Sequence, residues 1–236
     1  MGQKKLIRFE QIKTFPNVLQ YPPGMRGNWN GFFKNQNPLI LELACGKGEY
    51  TIGLSQKNSA ANYLGIDQKG NRIWVGAKKA LEKNLGNAAF LRIQIDQISE
   101  YFKACEVSEI WITFPDPYLR FSKIKKRLTH PKFLRFYIQF LQPGGLIHLK
   151  TDSPDLYNFT KIVVEMYGCI LLHDLPNIYS EKNIPEELNI KTYYESLDIA
   201  RSEQVYYLCF SLPEVLPGKE KDEELKERLK ELKSDQ

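Results

Sequence analysis

The chain lacks any apolar run near the roughly 18 residues a bilayer-spanning helix needs, so no membrane segment is expected. Cysteine is scarce. The four present (Cys45, Cys105, Cys169 and Cys209) lie far apart with no CxxC pair, which argues against a disulfide framework and against a zinc site. Three scattered histidines add nothing to ligate a metal, and none is expected. The opening stretch MGQKKLIRFEQIKTF has bases but no apolar segment behind them, so a secretory signal is not expected. Leu6 occupies the position where a myristoylation signal has Ser or Thr. The expected location is therefore the cytoplasm. Repeats and low-complexity linkers are also missing, and one large domain fits 236 residues.

What is present is an ordinary globular composition, 42% hydrophobic and 26% charged, with charge unevenly placed. Met1 to Asn35 holds six Lys or Arg against Glu10 alone, and Arg120 to Arg135 holds seven with no acid. Two such blocks on a chain of net charge +5 point to a polyanionic partner. From Gly218 onward, seven acids nearly balance six bases. These contrasts divide the chain into a basic N-terminal segment (1–35), a central domain (36–217) and a charged tail (218–236), where Leu225, Leu229 and Leu232 have helical spacing.

The central part alternates strand and helix patterns. Strands are expected at Pro38–Ala44, Asn62–Asp67, Ala89–Ile95, Glu109–Phe114, Leu146–Thr151, Cys169–Leu175 and Val205–Leu212. Helices are expected at Glu49–Gln56, Asn71–Leu85, Pro131–Leu141 and Pro154–Tyr167. This alternation predicts an α/β fold: a Rossmann-like, seven-stranded, mostly parallel sheet with helices on both faces.

The first strand runs into Glu42-Leu43-Ala44-Cys45-Gly46-Lys47-Gly48 and then a helix. Gly46 and Gly48 let the backbone turn tightly and approach a ligand. Asp67 ends the next strand, where a carboxylate accepts both hydroxyls of a ribose. A dinucleotide site would have a third glycine, and that position is Thr51, which disfavours a nicotinamide-dependent oxidoreductase. Glu42 suits a cation better than a pyrophosphate, so the loop reads as a site for S-adenosylmethionine, whose sulfonium and amino group attract a carboxylate. The ligand should lie over the carboxyl ends of the strands, with Gln94 and Asp96 near its adenine.

After the fourth strand comes Phe114-Pro115-Asp116-Pro117-Tyr118-Leu119-Arg120, followed by SKIKKRL. Two prolines around Asp116 make a stiff loop that holds a carboxylate at the mouth of the site. Asp152 follows the fifth strand, and Thr192-Tyr193-Tyr194-Glu195 lies in the long connection before the last one.

These pieces, ELACGKG, FPDPYLR with KKRLTH, HLKTD and TYYE, have the order and spacing of the bacterial tRNA (guanine-N7-)-methyltransferases, which the chain resembles from about Glu42 to Leu212. The resemblance implies a class I methyltransferase fold and methyl transfer from S-adenosylmethionine to N7 of a guanine in the variable loop of tRNA. It implies that Glu42, Asp67, Gln94 and Asp116 line the cofactor site, and that Arg120, Asp152, Thr192, Tyr193, Tyr194 and Glu195 contact the substrate. Three positions depart from the family pattern: Gln94 replaces an acid, Tyr118-Leu119-Arg120-Phe121 replaces Trp-Pro-Lys-Lys, and Ile199-Ala200-Arg201-Ser202 replaces a glycine-containing segment.

The implied chemistry needs no strong base, because guanine N7 carries a lone pair and no proton. It needs in-line placement and acceptors for the N1–H and N2–H2 donors of the base. Asp116, Asp152 and Glu195 are the candidate acceptors, with Asp116 the candidate catalytic group acting by position and charge. The two basic blocks would hold phosphates. Trp29, Phe32 and Phe33 either stack on a base or belong to the core. Rival readings are a non-catalytic RNA-binding module on this fold, and a methyltransferase for another base, since FPDPY is similar to the DPPY loop of amino-methylating enzymes. Monomer and homodimer are both open.

Overall fold

The computed structural model describes residues 2–197 and 204–234. Its strands are β1 (Val18–Gln20), β2 (Leu39–Leu43), β3 (Asn62–Asp67), β4 (Ala88–Arg92), β5 (Val107–Thr113), β6 (Leu141–Thr151), β7 (Ile170–Leu175) and β8 (Tyr206–Ser211). The helices are α1 (Gly2–Gln11), α2 (Trp29–Phe33), α3 (Glu49–Lys57), α4 (Gly70–Glu82), α5 (Pro131–Tyr137), α6 (Pro154–Met166), α7 (Tyr193–Leu197) and α8 (Lys221–Ser234). One sheet holds the strands in the order β1-β4-β3-β2-β5-β6-β8-β7. All pairs are parallel except β6–β8 and β7–β8.

Period-2 alternation along each strand sorts side chains onto two faces. Leu39, Leu41 and Leu43 of β2 join Ile110 and Ile112 of β5 in one core with Trp29 of α2, Leu134 of α5 and Phe159 of α6. Trp111, between those two isoleucines, packs on the opposite face with Tyr50 and Leu54 of α3. Ile73 and Ala77 of α4 close that side around Phe90. Every residue of β3 is buried, as expected for a strand covered on both faces.

The described sheet has eight strands where the sequence predicts seven. The additional one, β1, pairs Val18–Gln20 in parallel with Phe90–Arg92, so the segment divided off at residue 35 supplies an edge of the sheet. Three residues are too few to show a period. The same segment places Trp29 in the core: it is 1% exposed, donates Nε1–H to the Tyr101 carbonyl at 2.9 Å and stacks on Phe102 at 5.4 Å. Phe33 is buried with it and Phe32 packs against them, so Trp29 and Phe33 are core residues rather than platforms for a base.

Helix α5 ends at Tyr137, before the predicted limit of Leu141. Leu141 already pairs with Val107, and the register then jumps to Glu109 with Leu146, so the Pro-Gly-Gly segment forms an irregularity in β6 instead of a helix stop. The charged tail forms α8. Arg135 holds Asp222 through two hydrogen bonds of 3.0 and 2.7 Å, Tyr167 donates to the same carboxylate at 2.5 Å, and Leu225 is buried.

From β2 the chain crosses through α3 to β3 on one side, and from β5 it proceeds through α5 to β6 on the other. The adjacent β2 and β5 therefore form the switch point of the sheet, and a crevice opens beyond their carboxyl ends.

Candidate active site

Both strands at the switch point end in residues forced into left-handed backbone, Ala44 (φ 55°) after β2 and Phe114 (φ 47°) after β5. For non-glycine residues this costs about 1–3 kcal/mol each and is tolerated where the surroundings fix it. The turns steer two loops apart, and between them lies a cavity of about 710 Å³.

The Ala44–Gly48 loop forms one wall. The Cys45 N–H donates to the Ile66 carbonyl at 3.0 Å, and the Gly48 N–H to the Cys45 carbonyl at 2.7 Å. Gly48, with φ 71° at the start of α3, has no room for a side chain, because a Cβ there would lie 2.4 Å from the Phe90 ring. Gly48 thus sets how closely the loop packs on the sheet, while Gly46 faces the cavity.

Glu42 is buried beneath this loop (3% exposed). Its carboxylate accepts from the Thr51 N–H at 2.7 Å, the Thr51 hydroxyl at 2.5 Å and the Thr113 hydroxyl at 3.1 Å. Burial pushes its carboxyl up to about 7, against the opposing pull of those hydrogen bonds. Asp67, at the end of β3, accepts from the Gly46 N–H at 3.0 Å and the Lys69 N–H at 2.7 Å, one on each oxygen. Each oxygen keeps a lone pair for a ligand. Both carboxylates line the cavity.

Gln94 and Asp96 line it from beyond β4, in and before the short 3₁₀ turn Ile95–Glu100. Asp96 is ion-paired with Lys132 of α5. Asp116 lies exposed on the far lip and its carboxylate accepts from the Tyr118 N–H at 3.3 Å, a local turn that aims the group at the cavity mouth. Asp152, Thr192, Tyr193 and Tyr194 also line the cavity. Lys47 lies 3.1 Å from the Tyr193 ring centroid and Arg72 5.7 Å from that of Tyr194, which ties α7 to the Ala44–Gly48 loop and α4.

Two sequence expectations change, those for Glu195 and for the basic run. Glu195 does not line the cavity: its side chain is 1% exposed and ion-paired with Lys150 at 2.8 Å, so it is not available to a guanine edge. Arg120 is exposed at the start of the Phe121–Lys126 turn, outside the cavity lining and open to a large substrate. The basic run splits by role. Arg127 is buried and donates to the Pro117 carbonyl at 2.8 Å and the Tyr118 carbonyl at 3.4 Å, clamping the Asp116 loop. Arg135 holds α8, Lys132 holds Asp96, and Lys125 and Lys126 are exposed at the cavity rim. Residues Ile199 to Ser202 lie outside the described residues.

Sequence reasoning missed Thr51 and Thr113, which fix Glu42, and Lys47 and Arg72, which face α7. Thr51 offered a faint signal as the residue replacing a third glycine. The others offered none, since their partners are remote in the chain.

The sheet order, the carboxylates at the ends of β2 and β3 and the left-handed turns at the switch point define a Rossmann-like methyltransferase. A family described as "Putative methyltransferase" matches residues 36–208. A tRNA (guanine-N(7)-)-methyltransferase of Porphyromonas gingivalis is 44% identical over 215 residues, 86% of this chain and 87% of that one. Its counterpart from Christiangramia forsetii is 42% identical over 90% of this chain and all of its own (100%). Among solved structures, the 16S rRNA methyltransferase KamB covers 79% of this chain and 94% of its own at a TM-score of 0.60 and 15% identity, a likeness of fold alone. The chain belongs to the tRNA (guanine-N7-)-methyltransferase family.

Proposed function

We propose that this chain transfers the methyl group of S-adenosylmethionine to N7 of a guanine in the variable loop of tRNA, in the cytoplasm. The observation that carries this reading is the placement of Glu42 and Asp67 on one side of a single cavity and of Asp116 and Asp152 on the other. Family membership supplies the acceptor.

The residues fit S-adenosylmethionine. A cavity of about 710 Å³ lies within the range of small-molecule sites. A buried carboxyl poised near 7 ionises fully beside a cationic group, and the two anchored oxygens of Asp67 stand ready for a diol. When bound, the sulfonium supplies an electrophilic methyl. The chain's own residues then orient the base. Asp116 and Asp152 accept from its donor edge, and Asp116 faces the positive charge that develops on it. Tyr193 and Tyr194 shield the mouth from water, and Lys125 and Lys126 meet phosphates. No side chain has to take a proton from N7.

Within this reading 36–217 is the methyltransferase domain, 1–35 adds an edge strand to it, and the 218–236 tail contains the docked helix α8. Among the described residues no helix is long and apolar enough to cross a membrane, and no His/Cys/Asp/Glu group could hold a metal. The test is incubation with labelled S-adenosylmethionine and unmodified tRNA, then nucleoside analysis by mass spectrometry. The expected product is 7-methylguanosine. A different methylated nucleoside overturns the base assignment, and no product overturns the reaction.

A further inference from the structure

Lys150, next to last in β6, has a fully buried side chain (0% exposed). An ammonium has three donors, and all three are engaged: the Leu188 carbonyl at 2.9 Å, the Ile190 carbonyl at 3.1 Å and the Glu195 carboxylate at 2.8 Å. Its backbone carbonyl accepts from the Phe114 N–H at 2.8 Å, the first residue of the loop that carries Asp116. Its ammonium also lies 5.4 Å from the Tyr50 ring of α3 and 5.8 Å from the Phe114 ring. Two residues further on is Asp152, in the cavity wall.

The partner of Lys150 controls α7. Glu195 accepts from the Thr192 N–H at 3.2 Å, while its own N–H donates to the Thr192 hydroxyl at 3.1 Å. This is a reciprocal cap. Tyr179 donates to the other carboxylate oxygen at 2.7 Å. Helix α7 has five residues, none of them buried. So short a helix does not persist alone. Lys47 and Arg72 hold the Tyr193 and Tyr194 rings from the opposite wall, and the buried ion pair ties α7 to β6.

We propose that Lys150 is a positioning residue of this active site: through Glu195 and the Thr192 cap it sets the Thr192–Tyr194 wall against the strand that leads into Asp152. The proposal rests on the methyl-transfer reading above for its kinetic part only. Breaking a buried pair from one side leaves an uncompensated charge, whereas removing both charges does not, so two full-length variants separate positioning from charge balance. Lys150→Met should lower the melting temperature, and Lys150→Met/Glu195→Gln should largely restore it. Both should lose about 100-fold in kcat/KM for tRNA, the scale of a misplaced reactive geometry, with S-adenosylmethionine binding close to wild type. Both should lose amide protection over residues 188–197 in the ligand-free chain. Recovery of turnover in the double variant, or a loss of cofactor affinity as large as the loss of turnover, overturns the proposal. Unchanged protection of 188–197 in both variants overturns it whatever the enzyme methylates. Failure of the wild type to make 7-methylguanosine counts against the function reading instead.

Discussion

Glu42→Gln should make the ligand-free protein more stable at pH 8 while abolishing cofactor binding. Glu42 titrates near 7 in the folded chain and near 4.5 when unfolded. A carboxyl raised in this way takes up protons on folding between those two values, so stability falls as pH rises from about 4.5 and levels off above about 7. Fully ionised, the buried group costs the folded state about 3 kcal/mol relative to its neutral form. Glutamine keeps the shape without that cost: its carbonyl accepts from the Thr51 N–H and hydroxyl, and its amide donates to the Thr113 hydroxyl in place of the bonds seen here. For a chain of this size the gain corresponds to roughly 6–12 °C in melting temperature at pH 8, shrinking toward zero at pH 4. Calorimetric scans of both proteins at the two pH values, with titration of S-adenosylmethionine at pH 8, measure it. An equal effect at both pH values, or a loss of stability at pH 8, would refute the reasoning that an ionised, desolvated carboxylate sits there for a cation.

Asp116→Ala should lower kcat by about 100- to 1,000-fold while cofactor and tRNA still bind, as steady-state and filter-binding assays would show; near-normal turnover removes its assigned role. Replacing Lys125 and Lys126 with Ala should weaken tRNA binding and reduce its salt slope by about 1.4–1.8. Arg127→Met should leave that slope unchanged and lower the melting temperature, because Arg127 clamps the 117–118 carbonyls; a matching change in slope would mean that it meets phosphate instead. Gly48→Ala should cost about 2–4 kcal/mol in denaturant unfolding, since left-handed backbone and a Cβ at 2.4 Å from Phe90 combine strain with overpacking.

Much of the fold was legible because its signals are local. Asn62–Asp67 reads as a strand from its apolar run and the helix after it, and is one to the residue. The Glu42 to Gly48 loop and the proline-flanked Asp116 also declare themselves within a few residues. What was not legible depends on partners far away in the chain. Val18–Gln20 becomes a strand only because Phe90–Arg92 offers an edge. Arg127 looks like its neighbours Lys125 and Lys126, and only the fold turns it inward under Pro117. Glu195 reads as a free acid until Lys150, 45 residues earlier, is brought beneath it. The candidate site was therefore readable as a set of carboxylates, but not as a division between those that face the cavity and those that hold its walls.

The most direct test of the account uses two tRNA transcripts, one ordinary and one made entirely with 7-deazaguanosine. The modified transcript keeps the donor edge that Asp116 and Asp152 are assigned to bind but has a carbon where N7 would be. Both transcripts should bind comparably, and labelled methyl from S-adenosylmethionine should reach only the ordinary one. Methyl transfer to the 7-deazaguanosine transcript would contradict N7 as the acceptor.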